Sequence, residues 1–178
     1  MAASTRCLNN ETKFKLRKAI YTDIPACLEV LDQGRQSQRE AGFVQWLDGY
    51  PSEANVRNDI DSGMAHVLMT DDGSIAGYIA IAYDDTEYER LFEIWTPVEK
   101  YAVFHRLAVA KPFSHQGIGA LLFGLSEDLV RKNGAWSVRI DTGEQNKPMQ
   151  RLLESRNYIS LGTWEFSWGM RLAYEKVF

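Results

Sequence analysis

With 178 residues, 45% hydrophobic and 25% charged, the chain is long enough for one domain with its own core and short for two. A formal net charge of −4 removes any general attraction to nucleic acid or an anionic membrane, and suits a cationic small substrate better than an anionic one. No apolar run approaches a membrane span or a secretory signal, and two cysteines, Cys7 and Cys27, make no disulfide framework, so the expected setting is cytoplasmic and reducing.

Residues 1–12 are polar and patternless and are expected as a disordered leader before a single domain over 13–178. FKLRKAI (Phe14 to Ile20) alternates as a half-buried strand does. Thr22-Asp23 offers a helix N-cap, Pro25 fits the first turn, and Ile24, Cys27, Leu28 and Leu31 form one apolar stripe. Gly42, Gly49 and Pro51 mark a loop, after which Ser52 and Asn55 to Ile60 suggest a short second helix. His66 to Met69, the turn Asp71 to Gly73 and Ile75 to Tyr83 read as a hairpin. An acidic connector, Asp84 to Lys100, carries Tyr88, Phe92 and Trp95, which are expected to pack.

A strand over Tyr101 to Ala110 leads into a helix over Gln116 to Lys132. There Ile118, Leu121, Leu122, Leu125 and Leu129 keep a helical period and Asn133-Gly134 supplies the C-cap. Trp136 to Asp141 is a strand, Asn146 to Asn157 a short helix, and Tyr158 to Phe166 and Met170 to Val177 are the last two strands. This order predicts one α+β domain with a mixed sheet.

The informative stretch is HRLAVAKPFSHQGIGALLF, His105 to Phe123, in which Gly117 and Gly119 open a helix directly after a strand. A helix N-terminus offers unpaired N–H groups and the positive dipole end, and glycines let an anion approach them. A nucleotide-hydrolase phosphate loop is excluded because no Gly-Lys-Ser/Thr follows. A dinucleotide fingerprint finds its acid in Asp141, yet Leu122 occupies the third glycine position and Lys111 to Gln116 separate strand from glycine, so it fits less well.

The run resembles the coenzyme A pyrophosphate loop of the GNAT acyltransferase superfamily, with Leu107-Ala108-Val109 as the strand end and Ser114-His115-Gln116-Gly117-Ile118-Gly119-Ala120 as the loop. The resemblance extends from Phe14 to Phe178, and Phe43 to Pro51 resembles stretches in uncharacterised bacterial members. It implies a central, mixed but mostly antiparallel twisted sheet flanked by helices, with two parallel strands splayed at the cofactor cleft. Main-chain N–H groups from Gln116 to Ala120 would hold the pyrophosphate of acetyl-CoA. Main-chain groups of Leu107 and Val109 would pair with the pantetheine arm, which Asn146 would also contact. Ser114 stands where the family usually has Arg or Gln, so the resemblance implies that a side-chain share of the phosphate site is either lost or moved to Lys111.

The same resemblance implies an N-acetyltransferase acting on a primary amine of a small molecule or peptide. His105 corresponds to a histidine on the proton-removal path of arylalkylamine N-acetyltransferases; as a residue it reads equally as a strand histidine held in the core. Val109 would meet the oxyanion, and Asp141, with Glu144 nearby, would hold an ammonium group or relay a proton; a capped, solvated loop is the other reading. The family's thiolate-protonating tyrosine is replaced by Leu153, which leaves water for that step, or a non-catalytic acyl-CoA-binding protein on the same scaffold. Trp46, Tyr50, Trp95, Trp164, Glu165 and Trp168 are candidates for an acceptor pocket, or else core aromatics. No metal is expected, and the last hairpin offers an edge for a homodimer.

Overall fold

The computed structural model describes residues 13–178; the leader and Cys7 lie outside the described residues. Seven strands form one sheet: β1 (Phe14–Lys18), β2 (Ala65–Thr70), β3 (Ile75–Ala82), β4 (Tyr101–Val109), β5 (Ser137–Thr142), β6 (Ile159–Phe166) and β7 (Gly169–Val177). Their spatial order is β1-β2-β3-β4-β5-β7-β6. Every neighbouring pair is antiparallel except β4 with β5. β2 and β3 are near-continuous apolar runs because both their faces are covered.

On one face, α1 (Ile24–Glu40) and α2 (Glu53–Asp61) bury Cys27, Leu31 and Val56 against Val67, Tyr78 and Ala80. On the other, α4 (Ile118–Lys132) and α5 (Lys147–Ser155) bury Leu122, Phe123 and Leu153 against Leu68, Ile79 and Phe104. The alternation of β3 sorts the two sets, Tyr78 and Ala80 to one side and Ile79 and Ile81 to the other. A third cluster joins α3 (Thr86–Arg90), which the sequence did not announce, to the last hairpin through Tyr88, Trp95 and Phe166. Asp85 caps α3 by accepting from the N–H groups of Glu87 (2.9 Å) and Tyr88 (3.3 Å).

Ser52 caps α2 as expected, its Oγ accepting from Asn55 N–H while Asn55 Oδ1 accepts from Ser52 N–H at 2.8 Å. Asp23 does not cap α1. Its carboxylate takes the Ile20 N–H at 2.9 Å and the Arg17 guanidinium at 2.6 and 2.9 Å, which ties β1 to a short turn before the helix. Of the connector aromatics Tyr88 and Trp95 are buried, but Phe92 is 69% exposed and does not pack. Among the described residues no helix is long and apolar enough to cross a membrane.

Two features of β4 position the site. Its parallel pairing with β5 runs only from Tyr101↔Ser137 to Val103↔Arg139, although both strands continue, so the expected splay is present. A bulge adds one residue to β4, because Tyr78 faces Ala108 while Ala80 faces His105. Arg106, at φ 53°, takes the left-handed conformation there. Its guanidinium grips Asp59 of α2 through Nε (2.9 Å) and Nη2, and Tyr78 donates its hydroxyl to the same carboxylate at 2.6 Å. Asp59 is wholly buried.

Arg106→Ala leaves that carboxylate buried without its counter-charge, and denaturant unfolding is expected to show a loss of about 3–5 kcal/mol, against about 1–2 kcal/mol for Tyr78→Phe. Burial pushes the Cys27 thiol up to about 12, so at neutral pH it is protonated and enclosed. Alkylation followed by peptide mass analysis is expected to find Cys27 unmodified in the native protein and modified in denaturant.

Candidate active site

The loop after β4 ends its own hydrogen bonding early. Phe113 N–H reaches Ala110 O at 2.9 Å and Ser114 N–H reaches Lys111 O at 3.1 Å; the next main-chain donor with a partner is Leu121, to Gly117 O at 3.0 Å. Between them, the N–H groups of His115, Gln116, Gly117, Ile118, Gly119 and Ala120 have no partner among the described residues. His115 (φ 59°) and Gly117 (φ 79°) are both left-handed, which curls these donors together and delays the helix to Ile118 instead of Gln116. A Cβ on Gly117 would meet nothing within 4 Å, so its need for glycine is conformational.

The loop side chains take little part. Gln116 donates back to Pro112 O (2.8 Å), Ser114 Oγ lies 3.5 Å from Ala110 O, and Ile118 is buried in the core. Lys111 pairs with Glu40 at 3.1 Å and is not free to replace the missing family Arg. What the loop offers an anion is thus its main chain.

From Ser114 a groove of about 250 Å³ runs between α1 and the splayed strands, walled by Gly34, Leu107, Val109, Asn146, Met149 and Leu152. Ala108 packs its methyl against Gly34 and Trp46, and all three line the groove. Ala110 N–H bonds Ala76 O at 2.8 Å, and Tyr78 stands opposite Ala108. Hydrogen-bonded pairs alternate along an antiparallel ladder, so the main chain of Val109 turns from β3 toward the gap that β5 leaves.

Asn146 serves as the N-cap of α5, accepting from Met149 N–H at 3.2 Å, and donates Nδ2 to Gln45 Oε1 at 3.0 Å, so it is a fixed wall of the groove. Gln45 also accepts from Gly143 N–H at 3.1 Å. Gln38 Oε1 in turn takes the N–H groups of Gln45 (3.1 Å) and Trp46 (3.0 Å). These two glutamines, which sequence reasoning passed over, clasp the loop after α1 onto the cleft.

The groove opens into a cavity of about 450 Å³, and both are lined by Gln38, Trp46, Leu107, Asn146 and Met149. His105 stands on its wall with Nε2 2.9 Å from Asp85 Oδ2, the two side chains 14% and 19% exposed. Burial pushes the Asp85 carboxyl up, but the His105 hydrogen bond and charge together with the N–H groups of Tyr88 and Glu87 outweigh it and hold it below the ordinary carboxylate range. An ionised carboxylate only accepts, so Nε2 carries the proton and Nδ1 the lone pair in the neutral ring. Nothing in the run DDTEYE sets Asp85 apart from its acidic neighbours, which is why the sequence did not reveal it.

Asp141 is also on the wall, but its oxygens are engaged: Oδ1 accepts from Tyr88 Oη at 2.7 Å and Oδ2 from Trp168 Nε1 at 3.2 Å, with Arg171 Nε 3.5 Å away. Trp46 and Tyr50 line the cavity, and Tyr50 Oη receives Arg106 Nη1 at 3.1 Å. Three expectations are corrected. Trp95 is 3% exposed, stacks on Tyr88 at 5.3 Å and donates its Nε1 to Tyr88 O, so it supports the wall from behind. Glu165 points to solvent on the hairpin, where its carbonyl accepts from Arg90, because the buried position of that pair is Phe166. Trp164 bonds its own strand at Leu161 O and also stays outside. Leu153 is wholly buried, and α5 carries no tyrosine.

The model of the acetyltransferase (GNAT) family matches residues 31–158. Among solved structures the chain is similar to a GNAT-family acetyltransferase from Streptococcus agalactiae 2603, with 28% identity and a TM-score of 0.80 over 93% of this chain and 95% of that one. It shares its fold with a GNAT-family acetyltransferase from Listeria monocytogenes 4b F2365, at 22% identity and TM-score 0.74 over 93% and 95%. The fold is shared also with the PaiA N-acetyltransferase of Thermoplasma acidophilum, solved in complex with coenzyme A, at 16% identity and TM-score 0.73 over 93% and 99%. No curated protein matches. With most of its length inside the family match and the splayed sheet of that fold, the chain belongs to the acetyltransferase (GNAT) family.

Proposed function

We propose that the protein transfers the acetyl group of acetyl-CoA to a primary amine of a small molecule by direct attack in a ternary complex. One observation carries this reading: a cluster of free main-chain N–H groups, a narrow groove and a side-chain-lined cavity follow one another without interruption. That is the order of pyrophosphate, pantetheine arm and thioester along the cofactor. The N–H groups from His115 to Ala120 hold the pyrophosphate, Leu107 and Val109 line the arm, and the cleft-facing main chain at Val109 stabilises the oxyanion.

His105 removes the amine proton through Nδ1, held in that tautomer by Asp85. Asp85 is a positioning residue in the sense of a carboxylate that orients a catalytic imidazole. The leaving thiolate takes its proton from water, since Leu153 offers none. Absence of a tyrosine on α5 also supports a second reading, a protein that binds acyl-CoA without turning it over. The buried, unpaired Cys27 suits a reducing, cytoplasmic compartment.

Calorimetric titration with acetyl-CoA, with NADH as control, tests the cofactor; binding on the order of micromolar with no NADH binding is expected. NADH binding in its place would promote a dinucleotide ligand. Gly117→Ala costs about 1–2 kcal/mol of backbone strain and is expected to weaken acetyl-CoA about 10-fold. His105→Ala is expected to lower kcat on the order of 100-fold or more with acetyl-CoA affinity retained, and Asp85→Asn to lower kcat by a smaller factor. Unchanged turnover in His105→Ala would remove His105 from the chemistry, and absence of turnover with any amine would favour the binding protein.

A further inference from the structure

Arg171 is a cavity-lining charge that the reaction leaves unused. It stands on β7 one step beyond the pair Thr142↔Leu172, at the open end of β5, and its Nη1 lies 3.3 Å from the position a Gly143 Cβ would occupy. Its side chain is 17% exposed, and its Nε is buried without a hydrogen-bond partner among the described residues. The neighbouring Asp141 does not satisfy it: the 3.5 Å approach is an ion pair without a hydrogen bond. A guanidinium N–H taken out of water and left unpaired is costly. Arg106 and Arg139, two other arginines packed inside, spend theirs on Asp59, Glu175 and Thr96 O.

We propose that Arg171 receives a carboxylate of the acceptor, so that the acceptor is an amino acid or a close analogue bearing both a primary amine and a carboxylate. This rests on the acetyl-CoA reading of the cavity. The two ends of the cavity offer different partners: the Asp85–His105 pair on the β4 side accepts an ammonium and its proton, while on the β7 side Arg171, ion-paired with Asp141 through an Nε that makes no hydrogen bond, offers its guanidinium to an anion. A zwitterion matches both ends at once. A diamine would set its second cation against Arg171, and a phosphate would add a second negative charge beside Asp141; a planar guanidinium fork matches a carboxylate. Leu47, Met64 and Trp168, which line the cavity and not the groove, leave an apolar wall for the side chain, which points to a hydrophobic amino acid.

The test uses the whole protein and matched acceptors at equal free-amine concentration: L-phenylalanine, L-phenylalaninamide and phenethylamine, then L-methionine and its amide. Thiol release and acetylated product are both followed. In the unmodified protein the carboxylate is expected to exceed its amide at least about 10-fold in kcat/KM. Arg171→Gln is expected to lower kcat/KM for the carboxylate about 100-fold and to bring the carboxylate-to-amide ratio near one, with Arg171→Lys between. Binding of L-phenylalanine to the coenzyme A-saturated protein, read as a change in tryptophan fluorescence from Trp168 and Trp46, gives a measure independent of turnover. If acetyl-CoA fails to bind in the calorimeter, the underlying reading falls and takes this one with it. If acetyl-CoA binds but the amide or the bare amine is preferred, if neither carboxylate is acetylated or bound, or if Arg171→Gln lowers every acceptor equally, this proposal alone is overturned.

Discussion

The grip of Arg106 on Asp59 is the constraint on which the site depends. An arginine in the left-handed conformation is strained, and a fully buried carboxylate is costly to leave unpaired. Each makes the other tolerable, and the Tyr78 hydroxyl completes the set, its own ionisation suppressed by burial and by Asp59. The result is a bulge locked to α2. Past it, β4 has shifted its pattern by one residue: Leu107 and Val109 pack with the α4 face, while Ala108 and Ala110 pack with the α1 face. His105 and Arg106 can then lie side by side, one toward Asp85 and the other toward Asp59. Two parallel strands that would otherwise stay zipped part after Val103↔Arg139.

The resulting cleft divides its work between main chain and side chains. The loop end is built from backbone: left-handed residues in the loop, a helix N-terminus, and a strand edge freed by the splay. Such a site tolerates Ser114 in place of a larger polar residue, because N–H groups need only the correct dihedrals. The cavity end is built from side chains that four separate segments bring together: Asp85, His105, Asp141 and Arg171. Its charges are placed from behind by residues that never see the cavity, with Tyr88 sandwiched against Trp95 and edge-on to His105 at 5.8 Å while holding Asp141. The acidic connector, by sequence a mere interruption of the sheet, thus supplies both the partner of the histidine and the support of the aspartate.

Much of the fold could be read in advance. The period of α4, the alternation of β1 and the long apolar runs of β2 and β3 are local patterns, and local patterns survive folding when they agree with burial. Hidden features were those in which a distant partner overrides a local rule. HRLAV contains no glycine or proline to mark a bulge; the bulge exists because Asp59, 47 positions away in the chain, holds Arg106. Trp95 and Trp168 are alike in composition terms, yet one backs the wall and the other forms it. Phe92, grouped with packing aromatics, falls on a short turn whose outward face has nothing to cover it.

By itself the sequence determined the family, the order of the seven strands and the glycine turn before α4, since these rest on residue types at short spacing: glycines for left-handed dihedrals, apolar periods for helices and strands. Tertiary structure alone decided which charges share the cavity. Asp85 and His105 are separated by 20 positions and Asp59 and Arg106 by 47, and Gln45 meets Asn146 across 101. Which carboxylate meets the histidine and which arginine keeps an unpaired donor follow from strand register, the bulge and the splay, and these are set by packing between segments that have no pattern in common.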